Sequence, residues 1–487
     1  MSNEQNRLHF ASAIIETLRA IKPLILPVLL ILLANNFQLK LFSAESIFEL
    51  IPIAVIIILF FVSFLQGMIK WATFIYWIED EQLKSTSGLF VKKNRFIPLD
   101  RIQNLNYKEG IIHQVFGVKQ ISIETAGSSG KDAEMELTAI SKEAARQFEQ
   151  LINEFHQTVK PHESVEVVRT SNVIYQMSNK DLVLLASTSN GIGVVLAGIF
   201  AFLSQLSDYI PFEKLSAQFA QYLDHLFIAI VVMVFIALVL AWAISVGLTY
   251  LANYQFTLKR FDEQLELTRG LLEKKKVTIP IDKIQGYRMI ESPLRQLFGF
   301  AQVNIEIAGS SAASDDASSK VLLLPFIKKK HALELLEKVD GEIDWAIQPA
   351  YTSPHQAKRL FYVKYVILAV ILVTPLAIFV SPYFLFALFL FAAVIYFALM
   401  QHRAAAFSIK DHQLYVRYRN VNRIQVWMKR QKIQAVDFNQ TIFQKRVNVY
   451  TAVIFMMSGI LGAKAKILHH DEEAMQHLHH WIQQKEV

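Results

Sequence analysis

Cysteine is missing from the 487-residue chain, which excludes a disulfide framework and a thiolate metal site and leaves packing to hold the fold. Charge is the next scarcity. Only 19% of the residues are Asp, Glu, Lys or Arg against 53% hydrophobic, and the mean hydropathy is +0.31. A soluble core of this size does not need so much apolar surface, so the excess is expected to face lipid. The long apolar runs also hold no Asp, Glu, Lys or Arg at their centres. Transporters place ionisable groups or broken helices there, so a transporter or transporter subunit with a six-helix bundle is the second reading and not the first. A net charge of +7 and a pI near 9.2 would suggest nucleic acid for a soluble protein. Beside an anionic membrane surface the same excess is expected, and no nucleic-acid partner is inferred.

What is present is a set of six apolar runs in three close pairs, each near the length of roughly 20 residues that a bilayer demands. They cover Leu24 to Leu41 with Ile51 to Ile69, Leu182 to Leu206 with Leu226 to Leu248, and Tyr362 to Val380 with Pro382 to Met400. Each pair reads as a helical hairpin. The first run carries Pro23, Pro27, Asn35 and Asn36; no small-residue cleavage site follows it, so it is expected to be a retained span and not a signal peptide. Lys and Arg flank the outer ends of the pairs, among them Arg19, Lys22, Lys70, Lys180, Lys259, Arg260, Lys358, Arg359 and Arg403, whereas the turns within pairs hold only Lys40 and Lys214. The positive-inside rule then places both termini and all the large polar segments in the cytoplasm of a multi-pass membrane protein.

The polar segments repeat. Residues 81–127 match residues 263–309 at one constant spacing without a gap, bringing together Gly88 and Gly270, Pro98 and Pro280, Asp100 and Asp282, Ile102 and Ile284, Gln103 and Gln285, Phe116 and Phe298, Gly117 and Gly299, Glu124 and Glu306, and Gly127 and Gly309. A third, more worn copy aligns Leu414 with Leu83 and Lys432-Ile433-Gln434 with Arg101-Ile102-Gln103. Its counterparts of Gly88, Gly117 and Pro98 are Arg419, Asn448 and Lys429, so its turns must be built differently. Short alternating runs such as Gln120 to Glu124 and Val303 to Ile307 read as strands. Gly88 and Gly270 sit where a tight turn needs positive φ. Each copy closes with an amphipathic helix, marked by Phe148, Leu151, Ile152 and Phe155, by Ala332, Leu335, Leu336 and Val339, and by Met475, Leu478, Trp481 and Ile482.

The expected fold is therefore a membrane protein of α-helical spans plus β-rich domains, in three repeats of a transmembrane hairpin followed by a small β-barrel or roll with a C-terminal helix. The divisions are an N-terminal segment and first pair at 1–70, a β domain at 71–160, a linker and second pair at 161–250, a second β domain at 251–341, a linker and third pair at 342–402, and a degenerate third β domain at 403–487.

The motif carried by Gly88-Leu89, Ile97-Pro98, Asp100-Arg101-Ile102-Gln103, Val115-Phe116-Gly117 and Glu124-Thr125-Ala126-Gly127, and again by Gly270-Leu271, Ile279-Pro280, Asp282-Lys283-Ile284-Gln285, Leu297-Phe298-Gly299 and Glu306-Ile307-Ala308-Gly309, resembles that of bacterial pleckstrin-homology-like (PH-like) domain membrane proteins of the YdbT/YdbS type. The resemblance implies PH-like folds, a curved sheet closed by a helix, in a bacterial cytoplasmic membrane. It implies no catalytic residue and no cofactor.

Three charge runs are candidate contacts for anionic lipid headgroups: Lys92, Lys93 and Arg95; Lys274, Lys275 and Lys276; and Lys328, Lys329 and Lys330. The plainer alternative is a solvated face that serves topology and solubility. Asp100 and Asp282, beside a basic residue on a strand, lack a second acid or a metal partner and read as structural, with Ile102 and Ile284 facing the core. The Gly127 to Gly130 and Gly309 to Ser311 stretches lack the lysine and helix start of a phosphate loop and read as hairpin tips. Gly191, Gly193 and Gly198 read as close helix packing. His469, His470, His477, His479 and His480 read as surface histidines of a terminal helix and not as a metal site. The expected function is non-enzymatic: three cytoplasmic modules that bind membrane lipids or another membrane protein, such as a smaller PH-like one, with a role in envelope stress or tolerance of membrane-active peptides.

Overall fold

In the computed structural model the described residues are 5–24, 28, 51–125, 134–159, 172–188, 226–261, 263–308, 320–379, 384–458 and 462–484. They form three β modules with the same succession of elements. The first comprises β1 (Asn6–Arg7), α1 (Ala11–Ile21), α2 (Ile51–Thr73), β2 (Ile75–Glu79), β3 (Gln82–Ser87), β4 (Lys93–Pro98), β5 (Ile102–Glu109), the short α3 (Ile111–Val115), β6 (Val118–Thr125), β7 (Met135–Ser141) and the closing α4 (Lys142–Val159). The second comprises β8 (Asn172–Gln176), α5 (Asn179–Ser187), α6 (Leu226–Asn253), β9 (Thr257–Phe261), β10 (Gln264–Arg269), β11 (Lys274–Pro280), β12 (Ile284–Glu291), α7 (Pro293–Leu297), β13 (Phe300–Ile307), β14 (Lys320–Lys328) and α8 (Lys329–Val339). The third comprises β15 (Tyr351–Thr352), α9 (Lys358–Phe379), α10 (Phe384–Ala404), β16 (Ala406–Lys410), β17 (Gln413–Arg419), β18 (Arg423–Lys429), β19 (Ile433–Asn439), α11 (Ile442–Lys445), β20 (Val449–Met456), β21 (Ala463–Asp471) and α12 (Glu472–Gln483).

The apolar runs are helical over nearly all of their described residues. Within α2 and α6, the stretches Ala54–Thr73 and Val234–Asn253 are long and apolar enough to cross a membrane, and little of either is buried inside the protein. The runs Leu24 to Leu41 and Leu182 to Leu206 lie mostly outside the described residues, as do Asn35 and Asn36, Gly191, Gly193 and Gly198, and the two glycine-serine tips. Each module begins before its helices, because β1, β8 and β15 pair with β2, β9 and β16. In the first module Glu16 of α1 ties the helices to the sheet: its carboxylate lies 2.6 Å from Lys70 Nζ at the end of α2 and accepts a 2.7 Å hydrogen bond from Thr138 Oγ1 on β7. Burial pushes the Glu16 carboxyl up, but Lys70, Thr138 and Arg19 together outweigh it and hold it below its ordinary value.

The expected barrel or roll is built as two sheets per module. After a 3-10 turn (Leu99–Arg101 and its counterparts Ile281–Lys283 and Arg430–Lys432) the chain leaves the first sheet, and the ladder of the next strand carries a register shift at Ile102/Asn104, Ile284/Gly286 and Ile433/Ala435. Such bulges bend a strand and increase its twist. As a result β5 pairs with β11 of the following module and β12 pairs with β18. The sheets run β1-β2-β3-β4, then β7-β6-β5-β11-β10-β9-β8, then β14-β13-β12-β18-β17-β16-β15, then β19-β20-β21. Each seven-stranded sheet is thus half one module and half the next.

Three cores fill the modules, and Ile102 and Ile284 are buried in theirs as expected. The closing helices bury the anticipated stripes; Ala332, Leu335, Leu336 and Val339 are all inside. Tyr415 and Trp427 of the third module belong to the core of the second, where Trp345 packs on both Tyr287 and Trp427. Asp100 and Asp282 sit in the 3-10 turns and not on strands. Gly88 and Gly270 both adopt φ of +103°. In the third module Arg419 pairs with Arg423 as the hairpin ladder continues to the turn, so no left-handed glycine is needed there, while Asn448 takes the positive φ of Gly117 and Gly299.

Candidate functional site

The turn that follows β3, and its counterparts after β10 and β17, is latched to the end of the module's second helix. Gly88 N donates to Thr73 Oγ1 at 3.2 Å, Gly270 N and Leu271 N donate to the carbonyls of Tyr254 and Leu251 at 2.9 Å, and Gln401 Nε2 donates to the Asn420 carbonyl at 2.8 Å. The latches set the turn tips at the level where the apolar helices end. The tips are themselves apolar and bare: Leu89, Phe90 and Val91, with Phe90 95% exposed, then Leu271 and Leu272, then Val421. The short helices α3, α7 and α11 add Ile111, Val115 and Phe116, then Leu294, Leu297 and Phe298, then Ile442 and Phe443, all exposed. α3 and α7 lie against the turn of the following module, and Arg419 beside the third turn donates to Gln296 Oε1 of α7. Gln114 Nε2 donates to the carbonyls of Leu271 and Leu272 at 3.0 and 3.1 Å, and Arg295 Nε donates to Thr188 Oγ1, just past α5, at 3.2 Å. Repeated exposed apolar side chains of this kind mark an interaction surface.

Cations stand behind the tips. A cleft of about 240 Å³ at the junction of the first two modules is lined by Tyr107, Lys119, Tyr254, Arg269, Lys274, Lys275 and Lys276, with Glu109 as its acid. Lys275 lies 3.1 Å from Glu273, which also takes Lys108 at 2.9 Å, and Lys276 lies 3.3 Å from Glu149, 3.1 Å from Glu266 and 5.5 Å from the Tyr107 ring centroid. Burial pushes the Glu273 carboxyl up, and the two lysines outweigh it and hold it low. Lys274, by contrast, is exposed at the mouth of the cleft.

The three predicted charge runs therefore occupy different surroundings. Lys92, Lys93 and Arg95 are exposed at the start of β4, directly after the first tip, and Arg95 Nη1 donates to the Glu134 carbonyl. Lys274 holds the corresponding place on β11, while Lys275 and Lys276 are tied to carboxylates. Lys328 and Lys330 are exposed where α8 begins, but Lys329 is half-buried 3.8 Å from Glu291; burial pushes its ammonium down, with Arg423 and Arg417 adding to the effect against the pull of Glu291. The apolar tips were not singled out from the sequence, although the match of Leu89 with Leu271 was a signal for them. The histidines scatter: His469 and His470 lie on β21 and not on a helix, and His470 is buried. Among the described residues no three His, Asp or Glu side chains are grouped to hold a metal.

Three β modules closed by helices, each mounted on apolar helices and the first two presenting an apolar tip followed by exposed cations, define a membrane protein with repeated PH-like modules. The bacterial PH domain family matches residues 25–156, 181–343 and 360–486, and the chain belongs to that family. It is also 32% identical to the UPF0699 transmembrane protein YdbT of Bacillus subtilis (strain 168) over 469 residues, which is 93% of this chain and 92% of that protein. No solved structure matches.

Proposed function

We propose that the chain is a non-enzymatic, multi-pass protein of the bacterial cytoplasmic membrane whose three PH-like modules lie on the cytoplasmic surface of the bilayer and hold anionic lipid headgroups there. The observation that carries this reading is the tip shared by the first two modules: a bare apolar turn latched to a helix end, followed at once by exposed cations. Apolar side chains at that level enter the headgroup boundary, and each Lys or Arg beside it contributes about 1 kcal/mol toward an anionic surface. The similarity to a transmembrane protein and the apolar α2 and α6 support the membrane setting. A role in tolerance of membrane-active peptides fits a protein that organises headgroups.

The test uses the full chain in nanodiscs of phosphatidylcholine with and without phosphatidylglycerol. A single cysteine replacing Phe90 or Leu297, labelled with an environment-sensitive fluorophore, is expected to be quenched by spin labels near the lipid headgroups. Lys92→Glu, Lys93→Glu and Lys274→Glu are each expected to lower the preference for phosphatidylglycerol about fivefold. Labels that report bulk water, with no change in lipid preference, would end this reading.

A further inference from the structure

The two junctions between modules share one register. Glu109, Lys108 and Tyr107 of β5 face Lys274, Lys275 and Lys276 of β11, and Glu291, Ile290 and Met289 of β12 face Arg423, Ile424 and Gln425 of β18. The spacing of the repeats makes Glu109 equivalent to Glu291 and Lys274 equivalent to Arg423. Two strands of these same kinds have no strand beyond them among the described residues: β4, the counterpart of β11 and β18, and β19, the counterpart of β5 and β12. Their side chains show it. Phe96 on β4 is 58% exposed where the equivalent Trp427 is 2%, and Phe438 on β19 is 37% exposed where the equivalent Met289 is 0%.

We propose that β19 of one chain adds to β4 of a second copy, in the register of the built-in junctions, so that copies associate head to tail. That register sets Val436 opposite Phe96, Asp437 opposite Arg95, Phe438 opposite Asn94 and Asn439 opposite Lys93. The first is an apolar pair and the second an ion pair, both favourable across antiparallel strands. One further exchange fits. The closing helices bring Lys142 to 4.0 Å from Glu109 and Lys329 to 3.8 Å from Glu291. In the third module these places hold Glu472 and Gln440, so negative charge still meets the incoming strand, at Lys92. Lysines on an edge strand ordinarily discourage pairing, but β11 carries Lys274 to Lys276 and is paired. A second copy is the fitting occupant because its β4 stands at the same height above the bilayer, latched to its own helix end as every tip is. Unlike end surfaces give an open row or a closed ring, confined here to the membrane plane.

The absence of native cysteine makes the test direct. Two differently tagged full-length chains, one Asn94→Cys and one Phe438→Cys, are co-expressed, and the membranes are oxidised with copper phenanthroline. The expected product is a disulfide-linked dimer carrying both tags. Asn94→Cys with Asn439→Cys, one residue out of register and on opposite faces, should give at least about tenfold less, since side chains alternate along a strand. Adding Arg95→Asp or Asp437→Arg alone should reduce the dimer, and the two reversals together should restore it. The inference is overturned if no mixed-tag dimer forms, if the shifted pair links equally well, or if the cysteines capture only a different protein. Unchanged thermal unfolding of each variant shows that a missing dimer is not a misfolded one.

Discussion

His470 is buried against Phe407, ring centroids 5.0 Å apart, and burial pushes its imidazole down to about 4. Its ordinary value is near 6.5, so below that pH the unfolded chain takes up a proton that the folded chain refuses. The folded state is therefore fully stable above the unfolded value and loses stability as pH falls toward about 4, by about 3 kcal/mol in all. Denaturation of the wild-type chain and of His470→Phe at about pH 7 and about pH 4.5 is expected to show that the variant lacks this part of the acid sensitivity. A loss of stability identical in both would refute the assignment. The sequence offered no sign of the burial, because five histidines near one terminus look alike until strand alternation turns one ring inward.

The hairpin turn is the element that the repeat made most legible. A glycine kept at the same place in two copies is accounted for by φ of +103°, and a Cβ there would meet the carbonyl oxygen of Val91 or Glu273 at 2.1 or 2.0 Å. Gly270→Ala is expected to destabilise the chain by about 1–3 kcal/mol through left-handed strain, plus whatever the backbone clash adds. Thermal unfolding in detergent measures it, and a change below about 0.5 kcal/mol would disprove the turn's role. The apolar tip beyond this glycine was less legible. Exposed Leu and Phe in a β segment read as core until the latch to a helix end shows that they point away from it. The closing helices were plain from their stripes, since an amphipathic helix has one way to face a sheet.

At the scale of the whole molecule the decisive contacts cross between repeats, where no local pattern could announce them. Arg288 of the second module is buried, 2.7 Å from the Glu306 carboxylate, and donates to Tyr418 Oη at 2.9 Å and to the Lys464 carbonyl at 3.1 Å in the third. Burial alone would lower its guanidinium; Tyr418 and Glu306 overcome that and hold it raised. Glu291 adds a bridge to Arg423 and accepts from Gln425 Nε2 at 2.6 Å. Arg288→Met leaves Glu306, 0% exposed, without its cation and is expected to cost about 3–5 kcal/mol, whereas Arg288→Met with Glu306→Leu should recover most of the loss. A double-mutant cycle followed by tryptophan fluorescence reads both, and additive losses would count against the pair. The repeat was visible as a run of identities, but its identities mark turns and cores. The half-module offset of the sheets depends on where a strand bends after a 3-10 turn, which composition and periodicity do not encode.

The ladders that weld neighbouring modules are drawn from backbone amides and carbonyls, which every residue except proline supplies in full. Side chains beside such a ladder are free to drift as long as the strand remains a strand. The third repeat has used that freedom, exchanging glycine for arginine and asparagine and proline for lysine while keeping its place in the row. Divergence among the copies is thus a record of what the joint tolerates.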